Sequence, residues 1–282
     1  MDRYAVIGHP VAHSLSPTIH ARFAAQTGQA LEYGRIDAPA DGFATAASGF
    51  FATGGRGLNV TVPFKAKAFA WSGRASERAA RARVVNTLTA TADGTVEGDN
   101  TDGTGLVRDL TVNLGLGLAG TRILLVGAGG AARGVTGPLL EAGPGALVVA
   151  NRTAERAQAL AEAFGDTGPV HGCGFDALCA EAPFDVVINA TAASLGGELP
   201  PLPDSVVGAG GTVYDMMYGE PAHPFLDWGR RAGAVRAVDG LGMLVEQAAE
   251  SFRIWRGARP DTDPVLAELR RAASTRWRSC GP

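Results

Sequence analysis

Lysine is almost missing from this chain. Of its 25 basic residues only Lys65 and Lys67 are lysine, and the other 23 are arginine. Arginine does not deprotonate in proteins, so any chemistry that needs a titratable amine has two places to come from. Cysteine is scarce too: Cys173, Cys179 and Cys280 make an odd set with no CxxC spacing, which excludes a disulfide framework and gives no sign of a zinc site. No apolar run approaches the roughly 20 residues of a membrane-crossing helix. The apolar stretch after Met1-Asp2-Arg3-Tyr4 is broken at Gly8, His9 and Pro10, too short for a signal peptide. An excess of one charge is absent as well, and a net charge of −3 speaks against nucleic-acid or polybasic membrane partners. A soluble, cytoplasmic protein is expected.

What is there is globular. Hydrophobic residues make up 46% of the 282, and that length suits one large or two medium domains. Up to about residue 100, strand-like runs alternate with helical ones. Tyr4–Ile7, Leu31–Ile36 and Leu58–Val62 read as strands, the last ended by Pro63. Ser16-Pro17 reads as an N-cap with Pro at the first helical position, opening a helix that stops at Gly28, and Phe43–Ala52 reads as a second. Val85–Thr91 and Thr95–Glu97 flank Asp93-Gly94, a hairpin signal. Residues 101–113 look helical.

From Thr121 the pattern becomes that of a parallel sheet. Arg122–Val126, Ala146–Ala150, Val186–Asn189 and Thr212–Asp215 are continuous apolar strands, separated at first by helices over 130–142 and 154–164. Two helical stretches, 241–255 and 264–276, close the chain. The expected fold is α/β with two domains, an N-terminal α/β domain (1–103, completed by 241–282) and a parallel-sheet domain (104–240).

Gly127-Ala128-Gly129-Gly130-Ala131-Ala132 follows the first strand of the second half and opens a helix. This is the setting a dinucleotide fingerprint requires: glycines allow the tight turn and close backbone approach, and the helix N-terminus attracts the pyrophosphate. The next strand ends at Asn151-Arg152-Thr153. An NAD site usually places an acid there, whereas a guanidinium pairs with a 2′-phosphate, so NADP is expected. A solvated Arg152 beside a capping Thr153 is the plainer alternative.

Two polar clusters precede this region. Asn59-Val60-Thr61-Val62-Pro63-Phe64-Lys65 puts a lysine on a strand-to-helix corner, and Gly98-Asp99-Asn100-Thr101-Asp102-Gly103 heads the next helix. Asp99 or Asn100 is able to act as an ordinary cap, which would leave Asp102 for other work. Reducing a ketone by hydride creates an alkoxide that needs a proton, and a lysine oriented by a carboxylate serves both directions of that reaction.

These motifs resemble the shikimate dehydrogenase family. The likeness runs along nearly the whole chain: VAHSLSP (11–17), NVTVPFK (59–65), VNT (85–87), GDNTDG (98–103), GAGGAA (127–132), NRT (151–153), NAT (189–191), YDMMY (214–218) and DGLGMLVEQ (239–247). The resemblance implies NADPH-dependent, reversible reduction of 3-dehydroshikimate to shikimate in aromatic amino-acid biosynthesis, by a monomer or homodimer, with 1–103 and 241–282 as an N-terminal α/β substrate domain, 104–240 as a Rossmann-type dinucleotide-binding domain and the active site in the cleft between them. It implies that Lys65 and Asp102 form the catalytic pair. Ser14, Ser16 and Tyr218 would hold the substrate carboxylate, and Thr61, Asn86, Asp102 and Gln247 its ring hydroxyls. Gly127, Ala128, Gly129, Gly130, Ala131, Asn151, Arg152, Thr153 and Thr191 would bind the nucleotide. Met216, Gly240 and Met243 would lie near the nicotinamide, with Glu77 a weaker cofactor contact.

The chain departs from the family's pattern after Thr191, where it reads Ala192-Ala193-Ser194-Leu195. His9, His13 and His20 have no carboxylate or cysteine placed to complete a metal site, and no metal is expected. Two other readings stay open: a quinate/shikimate relative using NAD, and a non-catalytic NADPH-binding regulator.

Overall fold

The computed structural model describes residues 1–191 and 198–279, the side chains of 274–279 excepted. The departure at Ala192–Leu195 and Cys280 lie outside the described residues. The chain divides into two compact units, Met1–Gly105 with Leu244–Pro282, and Leu106–Met243. No described helix is long and apolar enough to cross a membrane.

Among the described residues, unit 1 holds a six-stranded sheet. Its central strand β1 (Asp2–Gly8) pairs in parallel with β2 (Leu31–Asp37) and β3 (Gly55–Val60), through crossovers containing α1 (Ser16–Thr27) and α2 (Phe43–Ala52). After β3 come α3 (Lys65–Trp71), the short β4 (Arg74–Ala75) and α4 (Glu77–Ala82). The sheet then reverses: β5 (Thr87–Ala90) runs antiparallel to β3, and β6 (Val96–Asp99) antiparallel to β5. Gly94 takes a positive φ of 83° at the hairpin tip, where glycine meets no steric penalty. The unit also contains the start of α5 (Asp102–Arg108) and the chain from Leu244 on, with most of α9 (Leu241–Arg256) and all of α10 (Asp263–Ser279). Ala5, Ile7, Phe43, Leu58, Phe64 and Leu88 form one buried core.

Three local expectations need correction. Ser16 is not the N-cap of α1 but its first residue, with Leu15 before it. The hydroxyl that serves this end is that of Ser14, which accepts the Ser16 N–H at 3.3 Å. β3 starts at Gly55 and ends at Val60, earlier at both ends than expected. Its glycines weaken the strand signal, yet a Cβ on Gly57 would lie 2.5 Å from the Trp255 indole nitrogen, so close packing excludes a side chain there. The helix expected over 101–113 is α-helical only to Arg108, after which Asp109–Asn113 widens into a π turn with Leu114 N–H donating to the Asp109 carbonyl.

Unit 2 contains a parallel six-stranded sheet of β7 (Arg122–Val126), β8 (Ala146–Asn151), β9 (Val170–Gly174), β10 (Phe184–Asn189), β11 (Val207–Asp215) and β12 (Arg236–Asp239). The crossovers include α6 (Gly130–Glu141), α7 (Ala154–Glu162) and α8 (His223–Arg231). Numbered from β7, the spatial order is 3-2-1-4-5-6, the doubly wound arrangement whose order reverses between β7 and β10. β9 and β12 escape the sequence pattern: the first is rich in glycine, since a Cβ on Gly172 would strike the Ala157 backbone at 2.2 Å, and the second is a four-residue edge strand.

His20, 0% exposed, stacks on Tyr33 with ring centroids 4.2 Å apart and is surrounded by Phe23, Phe252 and Trp255. Neither ring nitrogen has a hydrogen-bond partner, and burial pushes the imidazole pKa down from 6.5 to about 3. The unfolded chain therefore binds a proton between pH 6.5 and 3 that the folded one refuses, so His20 lowers stability as pH falls through that window. Comparing denaturant unfolding of the wild type with His20→Phe at pH 7 and 4.5 checks this. The wild type should lose roughly 3 kcal/mol more than the variant between the two.

Candidate active site

The corner after β3 is built by its backbone. Thr61 N–H donates to the Ile7 carbonyl at 3.0 Å, Phe64 N–H turns back to the Thr61 carbonyl at 3.0 Å, and the fully buried Phe64 ring anchors the turn as α3 begins at Lys65. Gly8 makes room, since a Cβ there would meet the Thr61 methyl at 2.4 Å. Lys65 is therefore held by a rigid strand–helix junction.

Across from it, the GDNTDG segment divides its polar residues by task. Asn100 Oδ1 accepts the Asp102 N–H at 3.1 Å, making Asn100 the cap of α5. Asp99 is gripped by Arg78 through two hydrogen bonds of 2.7 and 2.8 Å and by Ser76 at 2.5 Å. Burial raises the Asp99 carboxyl, but these donors outweigh it and hold the group below its ordinary value. Asp102 remains, and Lys65 Nζ donates to its Oδ2 at 2.6 Å. The pair is sheltered, with side chains 17% and 6% exposed.

Asn86 completes the arrangement. Its Nδ2 donates to Asp102 Oδ1 at 2.8 Å and to Gln247 Oε1 at 3.3 Å. A backbone N–H can only donate, so the 2.8 Å contact from Thr101 N–H identifies the other amide atom as Oδ1 and fixes which way the carboxamide faces. Gln247 approaches because Gly105 lacks a side chain; a Cβ there would lie 2.7 Å from the Gln247 backbone nitrogen. Ser14 and Ser16 face each other at 3.2 Å, and Arg35 braces them through the Ser14 carbonyl at 2.7 Å.

In unit 2 the candidates gather at the carboxyl ends of the strands. Gly127 has φ +109°, and a Cβ there would crowd Thr191 Cγ2 at 3.0 Å, so the turn before α6 and the end of β10 are in close contact at the switch point. Asn189 ties this edge together: Oδ1 accepts from Thr191 Oγ1 at 2.7 Å, and Nδ2 donates to Asp215 at 2.9 Å. Asp215 in turn accepts the Met217 N–H at 2.8 Å. A cavity of about 570 Å³ opens beside Arg152 and Thr153, lined also by Ala154, Glu155, Gly174, Phe175 and Asp176. Thr153 makes no capping hydrogen bond, so capping does not account for it. Met216 and Tyr218 follow β11, and Gly240 N–H donates to the Met217 carbonyl at 2.8 Å just before Met243. Gly129, Gly130 and Ala131 form the N-terminus of α6, and Ala128 lies in the turn before it.

Three family models cover most of the chain. Residues 6–88 match the shikimate dehydrogenase substrate binding domain, 111–196 shikimate/quinate 5-dehydrogenase, and 240–270 the shikimate 5′-dehydrogenase C-terminal domain. A shikimate dehydrogenase (NADP(+)) of Alkalilimnicola ehrlichii is 60% identical over 269 residues, covering 95% of this chain and 98% of its own length. The chain belongs to the shikimate dehydrogenase family. Among solved structures, an Ael1 enzyme from Pseudomonas putida is 47% identical with a TM-score of 0.88, covering 95% of this chain and 98% of that one. A shikimate 5-dehydrogenase from Thermus thermophilus, in complex with NADP(H) and shikimate, is 35% identical with a TM-score of 0.82, covering 96% of this chain and 100% of that one.

Family motifs thus mark the loops, but several residues around the site were not singled out from the sequence, Thr87 among them although it ends the VNT motif. Thr87, Arg78, Ser251, Phe175 and Asp176 were not candidates, although the first three bind candidate residues or their neighbours and the last two line the Arg152 cavity. Glu77 is the first residue of α4, in unit 1.

Gly240 offers a direct test of this local packing. A Cβ would lie 2.4 Å from the Met216 carbonyl oxygen, which is backbone and has little room to yield. Gly240→Ala is expected to cost roughly 1–3 kcal/mol in urea unfolding.

Proposed function

We propose that the chain catalyses the reversible NADPH-dependent reduction of 3-dehydroshikimate to shikimate, with Lys65 and Asp102 as the catalytic pair. The observation that carries this reading is the sheltered 2.6 Å Lys65–Asp102 contact, the arrangement a ketone reduction needs for its proton. When bound, the reduced nicotinamide supplies the hydride. Lys65 donates a proton to the oxygen that becomes the new hydroxyl, and Asp102, remaining ionised, orients the ammonium. Arginine would keep the charge without being able to give up the proton.

Ser14, Ser16 and Tyr218 bind the substrate carboxylate by hydroxyl donation, which adds no competing cation beside Lys65. Thr61, Asn86 and Gln247 supply the mixed donors and acceptors that ring hydroxyls require. All of these but Tyr218 lie in unit 1, which is accordingly the substrate-binding domain, with unit 2 the NADP-binding domain. NADP fits the residues present: Gly127, Gly129 and Gly130 leave open backbone at a helix N-terminus for the pyrophosphate, and Arg152 and Thr153 stand at a cavity for the phosphorylated ribose. Asn151 shapes that corner by donating to the Thr153 carbonyl at 2.9 Å. Thr191, Met216, Gly240 and Met243 bind the nicotinamide end. We place the enzyme in the cytoplasm as a monomer or homodimer.

The alternatives are weaker on specific grounds. An NAD-using quinate relative gains nothing from Arg152, and a non-catalytic regulator has no need of both Lys65 and Asp102.

Assays with 3-dehydroshikimate and either NADPH or NADH test the reading. Lys65→Met and Lys65→Arg should each lower kcat by about 10²–10⁴-fold, with shikimate binding by calorimetry much less affected. Near-normal turnover in Lys65→Met would refute the assignment. Arg152→Ala should weaken NADPH binding selectively and reduce the preference for NADPH over NADH, by about tenfold for roughly 1.4 kcal/mol of lost charge-assisted bonding. An unchanged cofactor preference would rule out the phosphate clamp.

A further inference from the structure

Behind the Lys65–Asp102 pair, on the side away from solvent, two fully buried hydroxyls meet. Thr87 opens β5 and Ser251 lies on α9, 164 residues later, and their oxygens are 2.8 Å apart. We propose that Thr87 and Ser251 are positioning residues that lock the Asn86 carboxamide and so keep Asp102 oriented while Lys65 gives up its proton. The proposal rests on the reading of Lys65 and Asp102 given above.

The reasoning starts from charge. Asp102 is 4% exposed, and an ionised carboxylate that far from water needs its oxygens occupied. Before transfer, Oδ2 faces a cation. Once the Lys65 ammonium has delivered its proton, that oxygen faces a neutral amine, and the donor that still holds the carboxylate is Asn86 Nδ2 on Oδ1. Asn86 must therefore not turn over, because a flipped carboxamide would aim an oxygen at the carboxylate.

Three groups oppose the flip by donating to Asn86 Oδ1: the Thr101 N–H at 2.8 Å, the Thr87 hydroxyl at 2.9 Å and the Thr101 hydroxyl at 3.2 Å. The Thr87 hydroxyl has a single proton, so its direction depends on what lies behind it. Tyr33 OH donates to Asn59 Oδ1 at 2.7 Å, leaving Asn59 Nδ2 to donate to Ser251 Oγ at 2.9 Å. The Ser251 proton then has the Gln247 carbonyl at 3.1 Å or the Thr87 oxygen as acceptor. Asn59 Nδ2 also lies 3.4 Å from Thr87 Oγ1, and because an amide oxygen can only accept, the 2.9 Å contact with Asn86 Oδ1 takes the Thr87 proton. Ser251 also reaches Thr101 Oγ1 at 3.2 Å, so one hydroxyl touches both residues that grip Asn86.

Thr87→Val keeps the side-chain shape and removes the hydroxyl, Ser251→Ala removes the second one, and Thr87→Ser restores the first. Steady-state reduction of 3-dehydroshikimate is measured in H₂O and D₂O for each. Expected are a kcat lower by roughly 10- to 100-fold in Thr87→Val and Ser251→Ala, a larger solvent isotope effect on kcat as proton transfer becomes limiting, and substantial recovery in Thr87→Ser.

An isotope effect is a ratio and does not respond to the fraction of folded enzyme, so it separates positioning from simple destabilisation. Wild-type kcat in either folded variant overturns the proposal, as does a lower kcat with an unchanged isotope effect, or a Thr87→Ser enzyme as slow as Thr87→Val. Should Thr87→Val fail to fold, Ser251→Ala and Thr87→Ser decide. Lys65→Met run alongside distinguishes the two levels: full activity there overturns the reading of the pair, whereas a dead Lys65→Met beside unaffected hydroxyl variants overturns this proposal alone.

Discussion

A carboxylate removed from water must be paired, and much of the polar interior of unit 1 answers to that requirement at Asp102. Lys65 neutralises one oxygen and Asn86 hydrogen-bonds the other. The strand–helix corner after β3 exists to present the lysine, and the turn after β6 to present the acid. Buried ion pairs are poor sources of net stability, because desolvation consumes most of the Coulombic gain. Its place in the fold is therefore better explained by the proposed proton transfer than by stability.

The same rule explains the neighbouring charges. Asp99, three residues earlier, looks equally suited to catalysis in the sequence, yet Arg78 and Ser76 occupy its oxygens. Glu246 and Glu250 on α9 are buried and are paired with Arg259, with Arg253 adding a second partner to Glu250. Arginine suits these roles because its planar fork satisfies two acceptors and never loses its charge. In a chain that uses arginine for 23 of its 25 basic residues, the cation facing Asp102 is one of the two lysines, as the proposed proton transfer requires.

What was legible in the sequence was local. Glycine turns, a strand followed by a helix, and polar residues clustered at corners announce themselves within a few positions, and they marked Lys65, Asp102 and the Gly127 turn. The parallel strands of unit 2 were equally plain as unbroken apolar runs. Elements that accept glycine for close packing were not: the start of β3 and the whole of β9 lose their strand character to residues whose value lies in what touches them. The pairing of Thr87, the last residue of the VNT motif, with Ser251 was hidden for a different reason. A threonine beginning a strand and a serine inside a helix are unremarkable until α9 is placed against β5, a contact between residues 164 positions apart.

The hairpin of unit 1 has a consequence for how this protein can change. Its two strands pair in register from Thr87↔Asp99 to Ala90↔Val96, so the residues flanking its open end, Asn86 and the Asp99–Asp102 segment, are neighbours, while the tip at 91–95 is at the opposite end of the ladder. Inserting or deleting residues at the tip leaves the open end paired as before. A single insertion between Val96 and Asp99 would slip the register and turn alternate side chains to the wrong face. Tolerance to length variation is thus sharply polarised along four residue pairs, and the distal loop is a natural position for carrying foreign peptide without disturbing the chemistry.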